Sequence, residues 1–371
     1  MTTTQSPGPG SGLSRRAFLG GAAALAVAGC GGVRGRKLED LDPRVAGVLD
    51  SAISVDMHSH AAGAGFARAP KFDLADHMRR GRMSAVCLCH SADGPVIRRP
   101  PGGRIRQYRD PEPGELYQFT RQRLAFMDSL LGPNGMTRVL TPADLEAAKA
   151  AGRPALVGTI EGCHFMDGRL ERIGEVYRRG IRHLQIVHYM PSELGDQQTE
   201  DAKWGGLSPL GADVIRECNR LGIVVDVAHG TFELVKQAAE VSSVPFILSH
   251  TSLTTATPQR YSRLISAEHA RLMAQAGGVI GVWPAAFTFV DARDWVAGIA
   301  RLVDVAGVDH VGIGTDMEGG VDEVWDDYAD LPAVVDLFLR RGFSPAETTK
   351  LIGGNYVRVF RQVAAARKET T

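Results

Sequence analysis

The chain has 371 residues, with 42 basic and 42 acidic side chains and no formal net charge, so nothing in it argues for a nucleic-acid partner. Past the N-terminal segment no stretch is long and apolar enough to span a bilayer. The length suits one large domain carrying loop insertions.

Residues 1–29 read as a targeting segment and are set aside from the fold. Ser14-Arg15-Arg16-Ala17-Phe18-Leu19 places a twin arginine ahead of a small, apolar run over 20–29, which resembles a twin-arginine export signal. Val27-Ala28-Gly29-Cys30 resembles a bacterial lipobox, implying cleavage before Cys30 and a lipid on its sulfur. A plain transmembrane anchor is the alternative, but the run is short and rich in Gly and Ala for that role. The expectation is an exported lipoprotein of the cell envelope, held on a lipid bilayer and facing the periplasm or the exterior. Its mature part keeps 40 basic against 42 acidic residues. Residues 30–41 read as a tether, Gly/Arg-rich from 31 to 37, and 42–371 as the domain.

A short helix is expected around 42–51. Eight strand candidates follow, at 53–58, 84–90, 155–161, 183–188, 222–228, 244–249, 278–283 and 310–315. Each is a short β-rich run of the kind buried parallel strands show, and helical patterns separate most of them. Such alternation marks a parallel α/β sheet, and eight units favour a closed (β/α)8 TIM barrel over an open doubly wound sheet. Thr141-Pro142, Ser208-Pro209 and Ser344-Pro345 each pair a capping residue with proline at the first helical position. The helix from Leu210 ends at Gly222, and Ser344-Pro345 opens the last long one. Residues 91–113, rich in Pro, Gly and Arg, read as a long loop before an amphipathic helix over 115–131. A second excursion over 190–207 follows the fourth strand. Both leave the face where barrel active sites lie, so both are placed to shape a substrate pocket. Cys87, Cys89, Cys163 and Cys218 follow neither a zinc-ribbon nor a small disulfide spacing. They read as buried thiols, although an exported location permits a disulfide.

Several strand candidates end in a residue type that binds metal. His58 and His60, two apart on a strand, point the same way and can serve one ion. Glu161 closes the third candidate and could bridge two metals through its two oxygens. His229 and His250 close the fifth and sixth and add nitrogen donors. Asp316 closes the eighth, as a ligand or a general base. The C-terminal ends of barrel strands converge on one face, so residues spread over 58–316 are expected to meet at one point.

These stretches resemble the membrane dipeptidase family, renal dipeptidase-like enzymes among the amidohydrolase-type barrels. The resemblance runs over about 50–366. It rests on Ile160-Glu161-Gly162, Gly206-Leu207-Ser208-Pro209-Leu210-Gly211, Asn219-Arg220-Leu221-Gly222-Ile223, Asp226-Val227-Ala228-His229 and Ser249-His250-Thr251-Ser252. Gly312-Ile313-Gly314-Thr315-Asp316 and Gly353-Gly354-Asn355-Tyr356-Val357-Arg358-Val359-Phe360 complete it. It implies a metallo-dipeptidase with two zinc ions bridged by Glu161 and a hydroxide. One ion would take His58, His60, Glu161 and Asp316, and the other Glu161, His229 and His250. His188 would contact the substrate near its scissile carbonyl, and Arg263 would hold the terminal carboxylate, with Arg260 as a rival. Asp316 would carry the water's proton to the leaving amine. The resemblance leaves room for a D-residue at the second position and for a homodimer.

The chain departs from the family at one ligand, where His58-Ser59-His60 stands in place of His-x-Asp. Imidazole suits zinc as well as carboxylate does. The exchange removes one negative charge, so two Zn²⁺ with Glu161, Asp316 and a hydroxide sum to +1 rather than zero. By that count the bridging water gives up its proton more readily, at some cost in cation affinity. Glu318, where relatives often carry Asp, reads as structural. The competing functions are hydrolysis of another small amide, a lactone or a β-lactam, and solute binding without catalysis.

Overall fold

The computed structural model describes residues 33, 38–65, 70–101, 103–132, 135–255 and 261–368. The twin arginine, Cys30 and Arg260 lie outside them, as does most of the expected tether. The barrel belongs to the unit Gly32–Thr371.

Eight parallel strands run β1 Val55–Ser59, β2 Ala85–Ser91, β3 Ala155–Glu161, β4 Ile181–Gln185, β5 Val224–Asp226, β6 Ile247–Thr251, β7 Val279–Val282 and β8 Val311–Ile313, each pairing with the next. A parallel bridge from Ser59 to Met317 brings β8 back to β1. There Asp316 N–H donates to the His58 carbonyl at 2.9 Å and His60 N–H to the Met317 carbonyl at 2.8 Å. With helices between the strands, this is the predicted (β/α)8 barrel. The proline-marked helix starts form as expected. Thr141 and Ser344 each build a capping box, with Asp144 and Glu347, while Ser208 accepts from Gly211 N–H.

Two cores follow from strand periodicity. Outward residues such as Leu88, Leu156, Leu184, Val225, Leu248 and Ile280 pack under helices carrying Val214, Leu234, Trp295 and Phe338. Inward residues near the strand starts, including Val55, Ala85, Val157, Val224 and Ile247, pack against Tyr356 and Phe360 of the helix Asn355–Ala365. That helix is a separate piece. The single long helix expected from Ser344 is instead Pro345–Thr349, a wide turn over Lys350–Gly354, and Asn355–Ala365. Gly353 lies against the entry to β1, where a Cβ would sit 2.3 Å from the Ile53 carbonyl oxygen, so a close backbone approach breaks the helix.

The strands stop earlier than their sequence patterns suggest. β4, β5 and β8 each end three residues before His188, His229 and Asp316. His229 (φ 68°) and Asp316 (φ 54°) adopt the left-handed region, which no strand tolerates, so the chain leaves the ladder before delivering them. The insertion after β2 is not all loop. Ile97–Arg98 pairs antiparallel with Arg106–Gln107, and Val96, Ile97, Ile105 and Leu116 form a small core beside Tyr189 and Met190. Two-residue strands carry no readable period. Cys87, Cys89, Cys163 and Cys218 are all buried free thiols. Among the described residues no helix is long and apolar enough to cross a membrane.

Candidate metal centre

Glu161, at the end of β3, is the hub. Its Oε1 lies 3.5 Å from His58 Nε2, 3.3 Å from His229 Nε2 and 3.7 Å from His250 Nε2. Its Oε2 lies 3.4 Å from His60 Nε2 and 3.0 Å from His188 Nε2. Asp316 Oδ1 closes the opposite side, 3.2 Å from His60 Nε2 and 3.8 Å from His58 Nε2. His58 and His60 bring their Nε2 atoms within 3.2 Å of each other, and His229 and His250 within 3.1 Å. All these side chains are buried. The structure therefore gathers every sequence-predicted ligand at the C-terminal mouth of the barrel.

The backbone is shaped for this. His229 and Asp316 hold left-handed conformations, which cost non-glycine residues energy and recur at functional sites. Gly319 leaves room for Asp316, since a Cβ there would stand 2.2 Å from its Oδ1, and Gly65 does the same for His60. Glu318, also left-handed, accepts from the amides of Gly63 and Lys71 at 3.1 Å each, which ties down both ends of the loop beside His60.

Neighbours to which the sequence gave no part in the site orient the donors. Ser249 Oγ lies 2.9 Å from His250 Nδ1 and 3.3 Å from His58 Nδ1, and the Cys89 carbonyl lies 3.1 Å from His60 Nδ1. Such outer contacts turn Nε2 inward and fix the tautomer. Ser91 Oγ donates to Glu161 Oε2 at 2.8 Å, and Gln185 Nε2 to Oε1 at 3.3 Å. Asp93, in the insertion after β2, takes His188 Nδ1 at 2.6 Å and also accepts from the amides of Tyr189 and Met190. Ser91 continues the inward row of β2 beyond Cys89, a positional cue available from period two. Asp93 had no such signal.

The site's own charges divide the histidines. Burial holds His58, His229 and His250 well below the ordinary imidazole range, so they present neutral rings, as ligation requires. Burial also opposes charge on His60, yet its hydrogen bonds to Asp316 and Glu161 outweigh that and lift it to about 10, a proton that a bound ion displaces from Nε2. Burial likewise opposes charge on His188, but Asp93 and Glu161 raise it to about 9. Burial works against the Glu161 carboxylate, while the neighbouring His188 and His58 hold it well below its usual range. Burial pushes Asp316 up.

A divalent cation fits this donor set. Three groups, His58–His60–Cys89–Glu161, His58–His250–Asp316 and Glu161–His229–His250, each bring their ligand atoms within 4.8 Å of one another. Clustered imidazole and carboxylate donors suit zinc and its first-row neighbours. His229 Nδ1 has no hydrogen-bond partner among the described residues, so a ring buried this deeply is left with its Nε2 contacts alone.

Beside the centre opens a cavity of about 950 Å³, lined among others by Arg99, Arg104, Tyr189, Tyr261, Arg263 and Trp283. Arg263 is buried, donating from Nη1 to Gln198 Oε1 and from Nη2 to the His250 carbonyl at 3.2 Å, and its Nε has no partner among the described residues. It lines the cavity.

Residues 65–371 match the model of the membrane dipeptidase family, peptidase family M19. The match begins just downstream of His58-Ser59-His60. A dipeptidase (tcpJ) from Claviceps purpurea is 30% identical over 233 residues, which is 59% of this chain and 54% of that protein, so the chain spans about half the length of this relative. Among solved structures, a probable dipeptidase (PvdM) from Pseudomonas aeruginosa superposes with a TM-score of 0.73 at 20% identity, covering 88% of this chain and 100% of that one. A metallo peptidase from Rhodobacter sphaeroides, solved with a phosphinate mimic of the dipeptide L-Ala-D-Ala, gives 0.69 at 18% identity, covering 84% and 100%. At such identities the structures speak for the fold, and the family match over most of the length decides the assignment: this chain belongs to the membrane dipeptidase family, peptidase family M19.

Proposed function

We propose that the protein is a metal-dependent dipeptidase that hydrolyses the single peptide bond of a short substrate. The observation that carries this is the convergence of five histidine Nε2 atoms on Glu161, with Asp316 against His58 and His60, at the edge of a cavity faced by a buried arginine. His58, His60, Glu161 and Asp316 would hold one zinc ion, and Glu161, His229 and His250 a second. When bound, such ions supply a Lewis acid for the carbonyl and a water of lowered pKa.

The chain's own groups do the rest. Arg263 pairs with the substrate's terminal carboxylate, a bidentate geometry that suits a guanidinium, and so sets how far the scissile bond lies from the ligands. That favours a short substrate, and the dipeptide mimic held by the Rhodobacter sphaeroides relative supports a D-residue at the second position. His188, kept charged by Asp93, donates from Nε2 to the oxyanion that develops on the carbonyl. Asp316 accepts the proton of the attacking water and passes it to the leaving amine.

Metal analysis together with a dipeptide panel that includes D-residues tests the reading. Two equivalents of zinc with turnover are expected. Glu161→Gln and Asp316→Asn should each lower kcat/KM by more than the roughly 10–100-fold typical of changes outside the ligand set, and turnover retained in both would refute it. We also propose export and anchoring through a lipid on Cys30. The Cys30→Ala variant should then leave the membrane fraction, and unchanged fractionation would reject the anchor.

A further inference from the structure

The inward row of β2 is Cys87, Cys89, Ser91, by the two-residue period of a strand. Its two ends have clear surroundings: Cys87 packs in the barrel floor beside Tyr356, and Ser91 hydrogen-bonds Glu161. Cys89 lies between them, fully buried, and its sulfur belongs to the group in which His58, His60, Cys89 and Glu161 bring one ligand atom each within 4.8 Å of all the others. Ligands of one tetrahedral zinc, with Zn–S about 2.3 Å and Zn–N about 2.0 Å, stand about 3.5 Å apart, so the four atoms need draw together by no more than about 1.3 Å to share one ion. Among the described residues the sulfur makes one weak hydrogen bond, to the neighbouring His90 carbonyl at 3.7 Å.

We propose that Cys89 is a ligand of the first metal site, binding as a thiolate alongside His58, His60 and Glu161. On ligation the S–H bond breaks, its proton passes to solvent, and the sulfur's electron pair forms the bond to the metal; a coordinating thiol is deprotonated outright. Two things follow. The thiolate supplies the negative charge that His60 removes by standing in place of an aspartate. Glu161, Asp316, the thiolate and a hydroxide then balance two divalent ions, and the more acidic water expected from the histidine alone is no longer expected. Cys89 also takes the place of Asp316 among the protein ligands of the first ion, which frees that carboxylate for proton transfer. Sulfur and nitrogen donors select zinc or cobalt over magnesium, calcium or manganese.

The inference rests on the proposed metal-dependent function, and its readout is spectroscopic. The full chain is loaded with Co²⁺, and its absorption is compared for wild type, Cys89→Ser and Cys87→Ser. A sulfur-to-cobalt charge-transfer band in the near ultraviolet is expected in wild type and Cys87→Ser and absent in Cys89→Ser, with at least tenfold weaker retention of the first ion in Cys89→Ser. X-ray absorption of the zinc-loaded wild type needs no variant and should show sulfur scattering at about 2.3 Å. If Co²⁺ binds and dipeptides turn over but neither sulfur signal appears, Cys89 is not a ligand and the dipeptidase reading stands. A charge-transfer band that persists in Cys89→Ser also overturns the assignment. A protein that binds neither metal overturns both.

Discussion

Asp93→Asn isolates the contribution of His188. Asp93 Oδ1 lies 2.6 Å from His188 Nδ1, and its Oδ2 accepts from the amides of Tyr189 at 3.2 Å and Met190 at 2.9 Å. An asparagine whose oxygen keeps the two amides turns its NH₂ toward Nδ1, which must then accept. The imidazole becomes neutral with its one hydrogen on Nε2, so it still donates there but without charge. A hydrogen bond to a charged group contributes about 1.5–3 kcal/mol, so at about 1.4 kcal/mol per decade kcat/KM should fall about 10- to 150-fold. The pH profile should move as well. Burial disfavours charge on His188, and Asp93 with Glu161 overcomes that to give a value of about 9. With Asp93 neutralised the burial penalty is less fully offset and His188 loses its proton at lower pH. A charged donor present up to about pH 9 then gives way to a neutral one at lower pH, and the alkaline limb of kcat/KM shifts down. Asp93 is not among the groups whose ligand atoms cluster at the centre, so zinc content should not change. Steady-state kinetics across pH with metal analysis checks all three outcomes. A variant within twofold of wild type with an unmoved alkaline limb, or one that simply loses its metal, would refute the reasoning.

Neither oxygen of buried Glu323 has a hydrogen-bond partner among the described residues, and the half-exposed Lys71 Nζ stands 3.7 Å away. Burial raises this carboxyl from 4.5 to about 8. A carboxyl that stays neutral in the folded protein while ionising in the unfolded chain loses stability steadily as pH rises from about 4.5 to 8. Glu323→Gln should therefore be neutral near pH 4 and more stable than wild type by a few kcal/mol at pH 9, at about 1.4 kcal/mol per unit; equal Tm values at pH 9 would contradict this. Gly319→Ala drives a Cβ into the Asp316 carboxylate. Turnover should drop roughly 100-fold, the cost of misplacing a catalytic group by about 1 Å, with some loss of Tm because the Cβ also stands 2.7 Å from the Asp316 carbonyl oxygen, and full activity would show that Asp316 is not held where the mechanism needs it. Trp295 is fully buried and donates to the Val282 carbonyl at 3.2 Å. Trp295→Ala should cost about 3–5 kcal/mol in denaturant unfolding, and a loss below about 1 kcal/mol would mean that the helix Ala292–Ala306 contributes little to the outer core.

The ligand set was readable because buried parallel strands are short continuous apolar runs, and a polar residue that ends such a run stands out. His58, Glu161, His229, His250 and Asp316 were found that way, and order along the chain was enough to place them on one face of a barrel. The two-residue period of a strand puts Cys87 and Cys89 on one side. It could not tell which sulfur reaches the metal centre, because that depends on how far along β2 the site lies, and the depth is set by the register of β2 against β1 and β3. Nor could it foresee that β5 and β8 end early so that His229 and Asp316 can turn through left-handed conformations. Asp93 meets His188 across 95 positions, and Ser249 meets His58 across 191. Pattern along a chain determines which side of a strand a residue occupies and what chemistry it offers. Which donor meets which, at what distance and with what charge, is decided only when the strands close into a ring, because those contacts join residues that no local period connects.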